Sequence, residues 1–254
     1  MKYYLFLFCL LLLVLTQFSC ENKKKENQKE IPELNPVVEK EKPGITIENF
    51  ETNAFPDAVI EMYSPLGNES FAEGNVPFEF NIKNYPKNGG PERFVFKMAI
   101  NGDAPVSYHM PAFKRTFNSG TYRAVAYLLD KEGIALKEFG NYVQRDFIVG
   151  DSQPFPESDE PYMVLNLPEN DQVFSPGEPV TVDILLIGGG LEEDGLKFIL
   201  LVDGMEQEVQ EPYPVNIKNL PPGIHDIQVK LVKASGEELS GIFSAAKRQI
   251  TVEN

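Results

Sequence analysis

The sequence predicts an all-β protein of two tandem antiparallel β-sandwich domains, preceded by a signal peptide and a disordered tether. Three observations carry the sandwich expectation. The chain repeats itself at an offset of 102 or 103 residues, short runs alternate apolar and polar residues, and no long stretch has a helical period.

The repeat relates residues 57–150 to residues 160–252. Pro65, Phe71 and Gly74 recur as Pro168, Phe174 and Gly177. Phe78, Phe80 and Ile82 match Val180, Val182 and Ile184, and a Gly-rich turn follows in both copies, Gly89-Gly90 and Gly188-Gly189-Gly190. Phe94, Phe96, Met98 and Ile100 match Leu196, Phe198, Leu200 and Val202. Each of these runs ends in a dipeptide that tolerates the positive backbone angles of a tight hairpin, Asn101-Gly102 and Asp203-Gly204. Gly120-Thr121-Tyr122 then matches Gly223-Ile224-His225, followed in each copy by a strand and a turn at Gly133 or Gly236. The copies close on Phe147-Ile148-Val149 and Ile250-Thr251-Val252. Each copy has the size of a domain and room for about seven strands. The boundaries expected are 57–150 for the first sandwich, 151–161 for a linker carrying three prolines, and 162–252 for the second sandwich.

On these residues each unit resembles bacterial immunoglobulin-like or fibronectin type III-like modules. The stretch Leu220-Pro221-Pro222-Gly223-Ile224-His225-Asp226-Ile227-Gln228-Val229 is similar to the penultimate strand of such modules, where a Pro-Gly turn leads into a strand opening on Tyr or His. The resemblance covers residues 57–252. It implies the sandwich fold and leaves the function open, because such modules serve many roles. The chain has no Trp, and the immunoglobulin cysteine pair is absent.

The N-terminus has a different character. Lys2 precedes a nearly continuous apolar run over residues 3–15, and Leu15-Thr16-Gln17-Phe18-Ser19-Cys20 follows it. The run is shorter than the ~20 residues that span a bilayer. The segment resembles the lipobox of bacterial lipoproteins, with residues 1–19 as signal peptide and Cys20 as the acylated, palmitate-bearing first residue of the mature chain. Gln17 stands where a strict lipobox has Leu. The alternatives are an ordinary secretory signal and an uncut membrane anchor. The resemblance implies lipid anchoring in the bacterial cell envelope, with the outer membrane as the expected location.

Residues 20–54 read as the lipidated Cys and a flexible tether. Residues 21–43 hold six Lys and six Glu, broken by Pro32, Pro36 and Pro43. Ile45-Thr46-Ile47 is either a first strand or the tether's end.

The net charge of −15 is concentrated in the folded part, where residues 44–254 hold 16 basic against 32 acidic residues. Such a surface repels nucleic acid and anionic head groups. Cys9 falls in the signal and Cys20 at the lipid site, so the mature chain has no thiol for a disulfide or a nucleophile. No cofactor is expected.

Chemistry is sparse. His225 takes the position of Tyr122 in the other copy, which favours a structural ring. Neither His225 nor His109 has a nucleophile and acid beside it in sequence, so no enzyme is expected, and a hydrolase stays a remote alternative. No transition-metal motif is present; the linker acids Asp151, Asp159 and Glu160 are weak calcium candidates, as is the loop Glu192-Glu193-Asp194-Gly195. The loop with Tyr108, His109 and Phe113 is the candidate ligand site, with Tyr85 and Tyr142 as further exposed rings. The expected role is non-catalytic: binding, adhesion or support of an envelope complex through an unknown protein partner. The alternative is a carbohydrate-binding outer-membrane lipoprotein with a glycan partner.

Overall fold

A computed structural model describes residues 46–49, 55–86, 95–211, 213–241 and 243–254. The signal, Cys20, most of the tether, the turn Gly89-Gly90 and Phe94 lie outside the described residues. The described chain is all β, with no helix.

Among the described residues the first sandwich has eight strands. One sheet runs β2 (Val59–Ser64), β4 (Gly74–Lys83), β7 (Ala112–Phe117). The other runs β3 (Glu69–Phe71), β9 (Tyr142–Val149), β8 (Gly120–Leu128), β5 (Phe96–Ile100), β6 (Val106–Tyr108). Alternation decides which side chains face inward. In β4, Val76, Phe78 and Phe80 are buried while Asn75 and Glu79 are exposed. They meet Phe96, Met98, Phe117 and Phe147 in one core.

The second sandwich repeats this arrangement with β10 (Tyr162–Leu167), β12 (Val180–Ile187) and β15 (Val215–Lys218) facing β11 (Gln172–Phe174), β17 (Ala245–Val252), β16 (Gly223–Lys233), β13 (Leu196–Val202) and β14 (Met205–Val209). The duplication extends to irregularities. The register shifts between Met62 and Ser64 in one copy and between Leu165 and Leu167 in the other. Each copy also has a short parallel pair, Phe71 opposite Val149 and Phe174 opposite Val252. Asn101-Gly102 and Asp203-Gly204 have positive φ at both residues, as tight hairpin turns require.

Two features depart from the linear plan. Residues 46–49, where the sequence leaves open a first strand or the tether's end, form strand β1 (Thr46–Asn49). It pairs antiparallel with β15 of the second sandwich, Ile47 opposite Ile217, although the first sandwich follows it in sequence. Ile47 packs on the second core, and Glu48 accepts an ion pair from Lys218. A strand at Ile45-Thr46-Ile47 is one of the two expectations; its partner in the second sandwich, across the whole first sandwich in sequence, is not legible.

The second departure is a third apolar cluster lying between the sandwiches. Ala99, Val125, Tyr127 and Leu129 from the outer face of β5, β8 and the turn after it meet Tyr162, Val164, Leu185 and Ile187 from the outer face of β10 and β12. The strands at the seam are therefore buried on both faces, and the two sandwiches share a core.

Candidate functional site at the seam

The seam is polar at its centre and apolar around it. The Tyr127 hydroxyl donates to Asn166 Oδ1 at 3.0 Å. The Asn166 amide donates to Asp183 Oδ2 at 2.7 Å and to the Gly133 carbonyl at 2.9 Å. Asp183 also accepts the Ala135 N–H at 2.7 Å and pairs with the Lys137 ammonium through its other oxygen. Asp183 is fully buried, so these donors substitute for water. Burial, reinforced by the Asp183 charge, pushes the Tyr127 hydroxyl well above the usual tyrosine range. At the margin, Lys97 on β5 is 4 % exposed and reaches across to Glu169 at 2.9 Å.

Arg123 closes another side. Its guanidinium forks onto Asp146 with two bonds of 2.7 Å and lies 4.9 Å from the Tyr162 ring centroid, 5.5 Å from those of Phe155 and Phe243. Phe155 belongs to the linker, and Thr121 Oγ1 donates to the linker carbonyl of Gln153. The linker is thus packed against the seam along part of its length.

Beside the seam opens a groove of about 1210 Å³. The first sandwich contributes Lys137, Glu138 and Tyr142; the second contributes Glu208 from β14 and loops that carry Glu192 and Tyr213. The Lys197 ammonium bonds Glu208 and holds its carboxyl below the usual range. Gly189 lines the groove and has no room for a side chain: a Cβ there would meet the Asp194 carboxylate and stand 2.6 Å from Pro161 Cγ. Two phenol rings among carboxylates and amides suit a ligand with apolar faces and many hydroxyls, or a cationic one.

The candidates from sequence take different places. Tyr108 and Phe113 stack on each other at 4.0 Å between centroids, and Phe113 continues onto Phe78 at 5.3 Å. Both are half-buried against the first core, while His109 and Met110 beside them are exposed. Tyr85 is not exposed. It is 8 % accessible and its hydroxyl donates to the carbonyl of Leu129 at 2.6 Å, with that of Val95 at 3.0 Å sharing the one proton. Tyr142 is half-buried and lines the groove. Asp151 and Asp159 are exposed, and Glu160 accepts from Ser240 Oγ at 3.2 Å. Among the described residues no group of three His, Cys, Asp or Glu side chains is placed to hold a metal ion.

His225 has a structural post. Its Nδ1 lies 2.7 Å from Asp203 Oδ2 and its Nε2 2.8 Å from the Pro221 carbonyl. Two acceptors require both ring nitrogens to donate, which is the imidazolium form. The first sandwich shares two of the ties of this corner with neutral groups: Asn101 Oδ1 accepts the Arg123 backbone N–H as Asp203 Oδ1 accepts that of Asp226, and the Tyr122 hydroxyl donates to the carbonyl of Asn118, four residues upstream, as His225 Nε2 does to that of Pro221. This is the tyrosine corner of sandwich domains with His in one copy. Burial pulls the His225 pKa down, but the Asp203 carboxylate and the Pro221 carbonyl outweigh it, and the net shift is upward. The stabilisation is therefore complete below the unfolded pKa and is lost as pH rises through the folded one. Relative to His225→Tyr, wild-type stability should fall from pH 6 to pH 8 in urea titrations. A pH-independent difference would refute the charged tie.

No family model matches this chain, and no curated protein matches it. Solved structures of similar fold include the fibronectin(III)-like modules of Clostridium thermocellum CbhA, at 19 % identity and a TM-score of 0.30, covering 77 % of this chain and 94 % of that one. The Bacteroides ovatus mixed-linkage glucan utilization locus SGBP-B, in complex with a mixed-linkage heptasaccharide, is similar at 14 % identity and a TM-score of 0.24, covering 77 % of this chain and 48 % of that one.

Proposed function

We propose that this is a bacterial lipoprotein, acylated at Cys20 and held on the outer membrane, whose double sandwich is a non-catalytic binding body. The observation that carries the binding role is the seam. Tyr127, Asn166 and Asp183 lock two modules into one body, so the groove beside it keeps its shape at the end of a tether. The histidine with a carboxylate beside it supports a role without catalysis, since both its nitrogens are committed to holding a turn. Acylation supplies two or three chains at one Cys, each methylene contributing about 0.8 kcal/mol, which makes attachment permanent.

Cys20→Ala should move the protein from the membrane to the soluble extracytoplasmic fraction. A variant that stays with membranes after a carbonate wash would refute the anchor. A carbohydrate ligand is the second reading, favoured by the rings of Tyr142 and Tyr213 in the groove. The same released protein should be retarded on a polysaccharide affinity gel, and Tyr213→Ala should abolish the retardation; migration unaffected by the polysaccharide refutes this reading.

A further inference from the structure

Strand β15 and strand β7 are duplicates with different fates. Phe78 opposes Phe113 in the first copy and Val180 opposes Ile217 in the second, so Phe113 corresponds to Ile217 and Lys114 to Lys218. The outer edge of β15 is covered by β1. Among the described residues no strand covers the outer edge of β7.

The cover has a measurable consequence. Ile217, opposite Ile47, is fully buried. Phe113 remains half-buried, with Tyr108 stacked on its other side. The hydrogen-bonding edge of β7 is open as well. The Phe80 N–H donates to the Pro111 carbonyl at 2.7 Å, which fixes the phase of the β4–β7 ladder. By the alternation of antiparallel pairs, Ala112, Lys114 and Thr116 then turn their N–H and C=O groups away from β4.

We propose that the outer edge of β7 accepts an extended, alternating acidic and aliphatic strand of a partner protein, in the register that β1 takes on β15. An aliphatic residue opposite Phe113 would cover its ring as Ile47 covers Ile217. An acidic residue opposite Ala112 would reach Lys114, as Glu48 opposite Asn216 reaches Lys218. Lys114 and Arg115 make this edge basic on a chain whose folded part is acidic. A lysine on an edge strand discourages neutral and basic strands, and Lys218 shows that it admits one bearing a glutamate. Main-chain bonds supply the affinity and alternate side chains the choice of partner.

The inference rests on the binding role proposed above but not on the lipid anchor. The test uses the full chain purified in detergent, so a failure of Cys20→Ala to release the protein leaves its outcome standing. The probe is a capped, fluorescent peptide with the sequence of residues 44–50. Its anisotropy should rise saturably on adding the protein. Lys114→Pro deletes one outward N–H without touching the β4 ladder and should weaken binding at least tenfold, and Lys218→Glu should not. Methylating the peptide nitrogen of Glu48 should abolish binding, and methylating that of Ile47 should leave it intact; this arm needs no protein variant. No saturation at millimolar concentration, or binding indifferent to Lys114→Pro and to the methyl position, overturns the proposal. A dimer of the chain itself that Lys114→Pro dissolves assigns the edge to a second copy and also overturns it.

Discussion

Tyr127→Ala is expected to destabilise the folded body by about 3–5 kcal/mol, the range for removing a large buried aromatic side chain. Tyr127 is fully buried, on the outer face of its own sheet, and its ring is covered by the other sandwich. Truncation leaves a cavity that neither sheet can close without parting from its neighbour, and it strips Asn166 Oδ1 of its donor. Tyr127→Phe keeps the ring and should cost only about 0.5–1.5 kcal/mol, the worth of one hydrogen bond. The two substitutions separate packing from polarity. Urea unfolding followed by fluorescence and far-ultraviolet dichroism is the measurement. The wild type should unfold in one coincident transition, and Tyr127→Ala should resolve into two as the sandwiches lose their shared core. A loss under about 1 kcal/mol would mean that the seam does not couple them.

Asp183→Ala should cost about 2–6 kcal/mol, because it leaves two donors buried in the seam without an acceptor, at about 1–3 kcal/mol each. Asp183 is inaccessible to water, whereas Lys137 is partly exposed. Without the carboxylate, the Ala135 N–H and the Asn166 amide lose their acceptor inside the seam. Lys137→Met should cost less, since the carboxylate keeps two donors. The asymmetry between partners is the diagnostic, read from the shift in the urea midpoint. Equal losses from both ends would place the stabilisation in the ion pair alone. Tyr127 and Asp183 share Asn166, so their effects should not add.

The sandwiches were legible in the sequence because their information is local. Phe78 and Phe80 alternate with polar residues, and Asn101-Gly102 marks its own turn. The tandem order and the resemblance to fibronectin-like modules follow from the same residues. The seam was not read, although its signal is present. Ala124 to Leu129, Tyr162 to Leu165 and Ile184 to Ile187 are unbroken apolar runs, the mark of strands buried on both faces. Such a run shows that an outer face is covered without showing by what. Tyr85 misled for a related reason: its hydroxyl is satisfied by the carbonyl of Leu129, 44 residues away. The groove was partly visible, through Tyr142, while Tyr213 gains its meaning only when the loops of two domains meet. His225 was legible as the counterpart of Tyr122, and the structure places its ring between Asp203 and the Pro221 carbonyl.

Strand β1 has a consequence for the order of assembly. It leaves the ribosome before either sandwich, yet Glu48 finds Lys218 across 170 residues of sequence. The first sandwich closes on its own strands during that interval, and β1 waits. Its docking on β15 is therefore a late event in the history of the chain, and it ties the first described strand to be made to one of the last. A chain released before residue 215 would lack the seat for β1, whatever the state of its first sandwich.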